Sequence, residues 1–114
     1  MENMSLDDIK NFATVKKWSE NLIEQWGDVP DLDKRIGALV DFVNYVERDP
    51  DKIVEECLRQ SDEGMRIKLK ARREIIAEIA EFEKEHGGRR AGNHVRSFLI
   101  HNGIAMSPSV EAGV

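Results

Sequence analysis

The chain has 114 residues, one cysteine and a formal net charge of −5, with 34% charged and 40% apolar positions. That length suits one domain, a lone Cys57 excludes an internal disulfide, and this mix argues against wholesale disorder. No apolar run exceeds three residues, so the sequence contains neither a signal peptide nor a membrane-spanning helix.

Ser5 and Asp8 have capping-box spacing and open a first helix. Leu6, Ile9, Ala13, Val15, Trp18, Leu22 and Trp26 form one stripe along it, and Gly27-Asp28-Val29-Pro30 ends it. Asp31 or Asp33 caps a second helix, whose buried face is Ile36, Leu39, Val40, Val43 and Val46. Asp49-Pro50 restarts the chain as a short third helix carrying Ile53, Val54, Cys57 and Leu58 on one side. Cys57 lies within that apolar stripe and reads as a packed core thiol.

Ser61-Asp62-Glu63-Gly64 marks a turn. A long fourth helix is expected over about 65–86, with Leu69, Ile75, Ile76, Ile79 and Phe82 facing inward. Its bases Lys68, Lys70, Arg72 and Arg73 come early and its glutamates late, the reverse of what the helix dipole favours. Gly87-Gly88 breaks the chain before a fifth helix over about 90–102. Asn102-Gly103-Ile104 has the pattern of a helix C-cap with an apolar residue folding back. The spacing predicts an all-α bundle of four to five helices over residues 1–104, with 105–114 a linker or free tail.

Chemistry-bearing constellations are sparse. His86, His94 and His101 are too far apart in sequence to share an ion; two turns separate the last two by about 10 Å. No glycine-rich phosphate loop and no nucleophile-base set is visible, so neither a cofactor nor catalysis within this chain is expected. Tyr45, the only tyrosine, reads as a packing residue at the core boundary.

Charge is unevenly spread. Residues 1–65 hold 8 Lys/Arg against 16 Asp/Glu, whereas residues 66–101 hold 9 against 5. Arg89, Arg90, Asn93 and Arg96 cluster at the start of the fifth helix, where free backbone N–H groups attract phosphate and arginine supplies a bidentate fork. Gly92 leaves room for close approach. With the basic start of the fourth helix, and with Lys34 and Arg35 at the start of the second, this pattern points to a nucleic-acid surface. The alternative is a helical protein-interaction module, anchored by Trp18, Trp26 or Phe42 if partly exposed.

Residues 36–46 (IGALVDFVNYV), 48–56 (RDPDKIVEE) and 91–104 (AGNHVRSFLIHNGI) carry a family resemblance. Over roughly residues 6–104 the chain resembles the N-terminal core-binding, SAM-like domain of tyrosine recombinases, the phage-type integrases, with their archaeal branch the nearer likeness. The resemblance implies a helical bundle that clamps one side of double-stranded DNA in a prokaryotic, nucleoid-associated setting in the cytoplasm. It implies a separate C-terminal catalytic domain, with an Arg-His-Arg set and a tyrosine nucleophile, and other recombinase protomers as partners, with no membrane. The chain then reads as either a piece of a recombinase or a stand-alone relative. The positions matching the family's DNA-facing ones are Lys34 and Arg35; Lys68, Lys70, Arg72 and Arg73; and Arg89, Arg90, Asn93 and Arg96. The family often has Ser or Thr at those helix starts, and its first half is less acidic than this one.

Overall fold

A computed structural model describes residues 3–62 and 64–106. It is a mostly helical bundle. In chain order the elements are α1 (Leu6–Ile9), α2 (Ala13–Trp26), α3 (Leu32–Val46), α4 (Pro50–Cys57), β1 (Leu58–Ser61), β2 (Gly64–Ile67), α5 (Leu69–Phe82), a π-helical turn (Glu83–Gly87) and α6 (Gly88–His101).

The capping box forms as its spacing predicts: Asp8 N–H donates to Ser5 Oγ and Ser5 N–H to Asp8 Oδ2, each at 3.1 Å. The helix it opens is not continuous with α2, however. Phe12 is extended (φ −78°, ψ 138°), and α2 restarts at Ala13. Its first turn is capped from another element: Thr14 donates its N–H (3.0 Å) and its hydroxyl (2.6 Å) to Asp51 Oδ1 on α4. That tertiary cap replaces the local helical bonds which the unbroken apolar spacing had suggested. Asn44 of α3 holds the lead-in to α1 through a reciprocal pair of hydrogen bonds with the backbone of Met4.

Between α4 and α5 lies an antiparallel hairpin where sequence periodicity predicted a turn and the first helical residues. Leu58 pairs with Ile67, Arg59 with Arg66, Gln60 with Met65 and Ser61 with Gly64. Gly64, which opens β2, takes φ +112°, a conformation that glycine adopts readily. Lys68 N–H donates to Cys57 O at 2.8 Å, closing the base. The long helix therefore begins four residues late. Leu69, expected inside, is 64% exposed on its first turn.

The core runs through all the long helices. Trp18, Leu22, Ile36, Leu39, Phe42, Val43, Ile75, Ile79, Phe82, Val95, Phe98 and Leu99 are buried together, with Cys57 among them. Burial, aided by Glu56, pushes the Cys57 thiol pKa up, which keeps it protonated and poorly nucleophilic. Two edge-to-face aromatic pairs join distant elements, Trp18 to Phe98 (5.6 Å between centroids) and Phe42 to Phe82 (5.3 Å). Tyr45 packs on Phe82 and His86 and donates its hydroxyl to Glu85 at 2.9 Å. Trp18 and Phe42 are thus core residues and not exposed anchors.

Arg48 ties three elements, reaching Glu78 of α5 through both terminal nitrogens (2.7 and 3.1 Å). Its Nε lies 3.0 Å from Glu56 Oε1 of α4, but that buried N–H is not aligned for a hydrogen bond. At the other end of α6, Ile104 N–H bonds back to Leu99 O and Ile104 is buried, the expected C-cap. Packing continues one step further, with Met106 buried and Ala105 O accepting from Arg72 Nε. Residues 107–114, the rest of the expected tail, lie outside the described residues.

Candidate nucleic-acid interface

The ten basic and polar positions singled out in the sequence divide into three structural groups. The first forms where the first turns of α6 cross the face of α3, whose C-terminal end meets the π-helical turn through Tyr45. Lys34 from α3 and Arg90 and His94 from α6 line one groove of about 510 Å³, with Gly37, Ala38, Val40 and Ala91 as its apolar walls. Asp41 stands on the same rim. Lys34 and Arg90 have no carboxylate within ion-pair distance among the described residues.

Arg35, the neighbour of Lys34, does have one: its Nε sits 3.0 Å from Asp31 Oδ1, one turn back. Asp31 is the N-cap of α3, yet its side chain makes no capping bond and serves Arg35 instead. Arg89 and Arg90 follow Gly88, whose φ of +72° turns the chain from the π-helical turn into α6. Both are exposed.

His94 registers the field of this group. Burial lowers its pKa most, and the charges of Arg35, Arg90 and Lys34 lower it further, with Asp31 opposing them. A histidine held below its ordinary value stays neutral when folded while the unfolded chain takes up a proton. Its stabilising contribution is present above about pH 6.5 and is lost as pH falls below that value. His94→Gln is expected to flatten the dependence of Tm on pH between 7 and 5. Thermal melts of both proteins at four pH values check it.

The second group, Lys68, Lys70, Arg72 and Arg73, surrounds the start of α5. It does not join the first. α5 and α6 are successive elements joined by the π-helical turn, and the Arg72–Ala105 bond sets the start of α5 beside the exit of α6. Arg89 and Arg90 belong to the opposite end, about 20 Å away along a 14-residue helix. Arg72 is engaged with the backbone there, while Lys68, Lys70 and Arg73 are exposed. Two further bases, Arg59 and Arg66, enter this group from the hairpin, which the helical reading of the sequence concealed.

The third group is internal. Arg96 grips Glu83 with both terminal nitrogens (2.7 and 3.2 Å) and also donates to Asn93 Oδ1 at 3.1 Å. Glu83 packs against Gly92, so closely that a methyl on Gly92 would overlap its Oε2, Cδ and Cγ. The space left by Gly92 is occupied by this carboxylate and is not open to a ligand. Arg96 and Asn93 therefore hold α6 to the π-helical turn, and the exposed face expected of Arg89, Asn93 and Arg96 together is broken at Arg96.

Among the described residues, no group of three or more His, Cys, Asp or Glu is placed to hold a metal ion. No helix there is long and apolar enough to cross a membrane. No family model matches this sequence, and no curated protein and no solved structure is detectably similar to it.

Proposed function

We propose that this chain is a DNA-binding helical domain of the tyrosine-recombinase core-binding type. It would hold duplex DNA at a recombination site while a separate catalytic domain, or another protomer, does the cutting. The observation that carries this reading is that Lys34 and Arg90, more than fifty residues apart, line one groove between α3 and α6 with neither in an ion pair among the described residues. Two unpaired bases on one groove, with Arg89 exposed beside Arg90, suit phosphate despite Asp41 on the same rim, and phosphate contacts dominate affinity for duplex DNA. The overall acidity of the chain is no obstacle, because a partner responds to the local field.

The test is fluorescence anisotropy with a labelled mixed-sequence duplex at two salt concentrations, comparing the wild type with the Lys34→Glu, Arg90→Glu double variant. Arg96 is left intact, since it serves the fold. Binding should weaken with salt, and the double variant should bind at least about tenfold less tightly with a shallower salt slope. A folded wild type that fails to bind at low salt overturns the reading.

A second reading, a protein-interaction module, draws on one specific observation: Trp26 is 71% exposed and Ile23 beside it 48%, both on the last turn of α2. A tryptophan so placed suits an interface anchor.

A further inference from the structure

Asn102-Gly103 carries a reactivity beyond ending α6. Of the six asparagines in the chain, Asn102 alone precedes a glycine; the others are followed by Met, Phe, Leu, Tyr and His. An asparagine side-chain amide is open to attack by the main-chain nitrogen of the next residue, and glycine, with no Cβ, obstructs that attack least. The Gly103 nitrogen gives up its proton and bonds to Asn102 Cγ, the side-chain nitrogen departs as ammonia, and a succinimide ring closes. Water then opens the ring at either carbonyl, leaving aspartate or isoaspartate. One water is taken up and one ammonia released.

The fold restrains both reacting groups. Asn102 is 7% exposed, the one buried polar residue among the described residues. Its Nδ2 donates to Phe98 O at 2.9 Å and to Thr14 O at 3.1 Å, so the nitrogen that would depart is the one that ties α6 to α2. The Gly103 N–H donates to Ile100 O at 3.0 Å, which retains the proton that attack must lose. Thr14 is in turn held by Asp51 of α4, so three helices meet at this amide.

We propose that Asn102 is a self-modification site that deamidates only when α6 lifts from α2, and that the product prevents the two helices from closing again. Either product carries a carboxylate where an amide donated. In the closed fold it would set acceptor against acceptor, facing the carbonyls of Thr14 and Phe98 in a shielded site. Isoaspartate also lengthens the main chain by one carbon just before Gly103, so Ile104 and Met106 lose the register that seats them in the core. A transient opening is made permanent by chemistry on the open state. This holds whether or not the chain binds DNA.

Peptide mapping by mass spectrometry, after incubation at mildly alkaline pH, reads the conversion. In urea, Asn102 should convert well ahead of the other five asparagines. In native buffer it should convert at least about a hundredfold more slowly, in proportion to the fraction of time the site is open. Trp18→Ala, which loosens the same contact of α2 with α6, should convert faster than wild type in native buffer and at the wild-type rate in urea. Gly103→Ala, compared only in urea where folding plays no part, should convert several-fold more slowly. When urea-aged wild type is returned to native buffer, the fraction that refolds should match the fraction still carrying the amide. Conversion as fast in native buffer as in urea overturns the gating. No preference for Asn102 in urea overturns the site, and full refolding of converted chains overturns the block on closure.

Discussion

Trp18→Ala is expected to lower the unfolding free energy by about 3–5 kcal/mol, the range for deleting a large buried aromatic. Domains of this size have only about 5–15 kcal/mol in total, so the variant should be near its limit at 37 °C. The loss has three identifiable parts. Trp18 is fully buried, its ring meets Phe98 edge to face, and its Nε1 donates to Ser97 Oγ at 3.0 Å. Removing it leaves a cavity where α2 and α6 meet and strands a polar group beside it. Urea unfolding followed by circular dichroism reads the change directly. The matching control is Trp26→Ala, which removes the other tryptophan from a position 71% exposed and should shift stability by less than about 0.5 kcal/mol.

Gly92→Ala tests a contact whose sign is not obvious from helix propensity. Alanine within a helix is favoured over glycine by about 1 kcal/mol. Here the added methyl would drive out the Glu83 carboxylate and leave Arg96 without its bidentate partner. Side-chain exposure is 25% for Arg96 and 16% for Glu83, so the pair is partly shielded and its loss outweighs the propensity gain. A net destabilisation of about 1–2 kcal/mol is expected. The same substitution made in a Glu83→Ala background has nothing to displace and should stabilise by up to about 1 kcal/mol. This reversal of sign in a double-mutant cycle distinguishes the contact from a general intolerance of change at Gly92.

The elements most legible in the sequence were those whose ends are written locally. Asp49-Pro50 starts α4 because Asp49 accepts from Lys52 N–H while proline takes a position that needs no donor. Asn102-Gly103-Ile104 closes α6 because glycine supplies a positive φ and Ile104 has a core to return to. What escaped were features set by distant partners. The break between α1 and α2 depends on Asp51, 37 residues beyond Thr14, and no local spacing reveals it. The hairpin had a visible signal, a glycine at the start of its second strand. Arg59, Gln60 and Arg66 lack the apolar alternation that marks a strand, and Met65 continued plausibly into a helix.

For the candidate site the limit was of the same kind. Helical spacing placed Arg89, Asn93 and Arg96 on one face correctly, but Arg96 is claimed by Glu83 from the preceding turn. Charge type and spacing identify which residues are able to meet a phosphate. Only the positions of the carboxylates decide which remain available, and Asp31 and Glu83 remove two arginines from the set. Conversely, nothing along the chain joins Lys34 to Arg90. Packing of α3 on α6 does so, and the groove that both residues line is its trace.

Thr14 is gripped from both sides: its N–H and hydroxyl by Asp51, and its carbonyl by Asn102 Nδ2 at 3.1 Å. Trp18 likewise depends on Ser97 and Phe98. During synthesis at about 5–20 residues per second, the 79 residues between Trp18 and Ser97 take about 4–16 s to appear. Until then the apolar face of α2 has left the ribosome without its partner helix. The nascent chain therefore presents an uncovered tryptophan for seconds, a natural holding site for a chaperone, and α6 is the element whose arrival ends that interval.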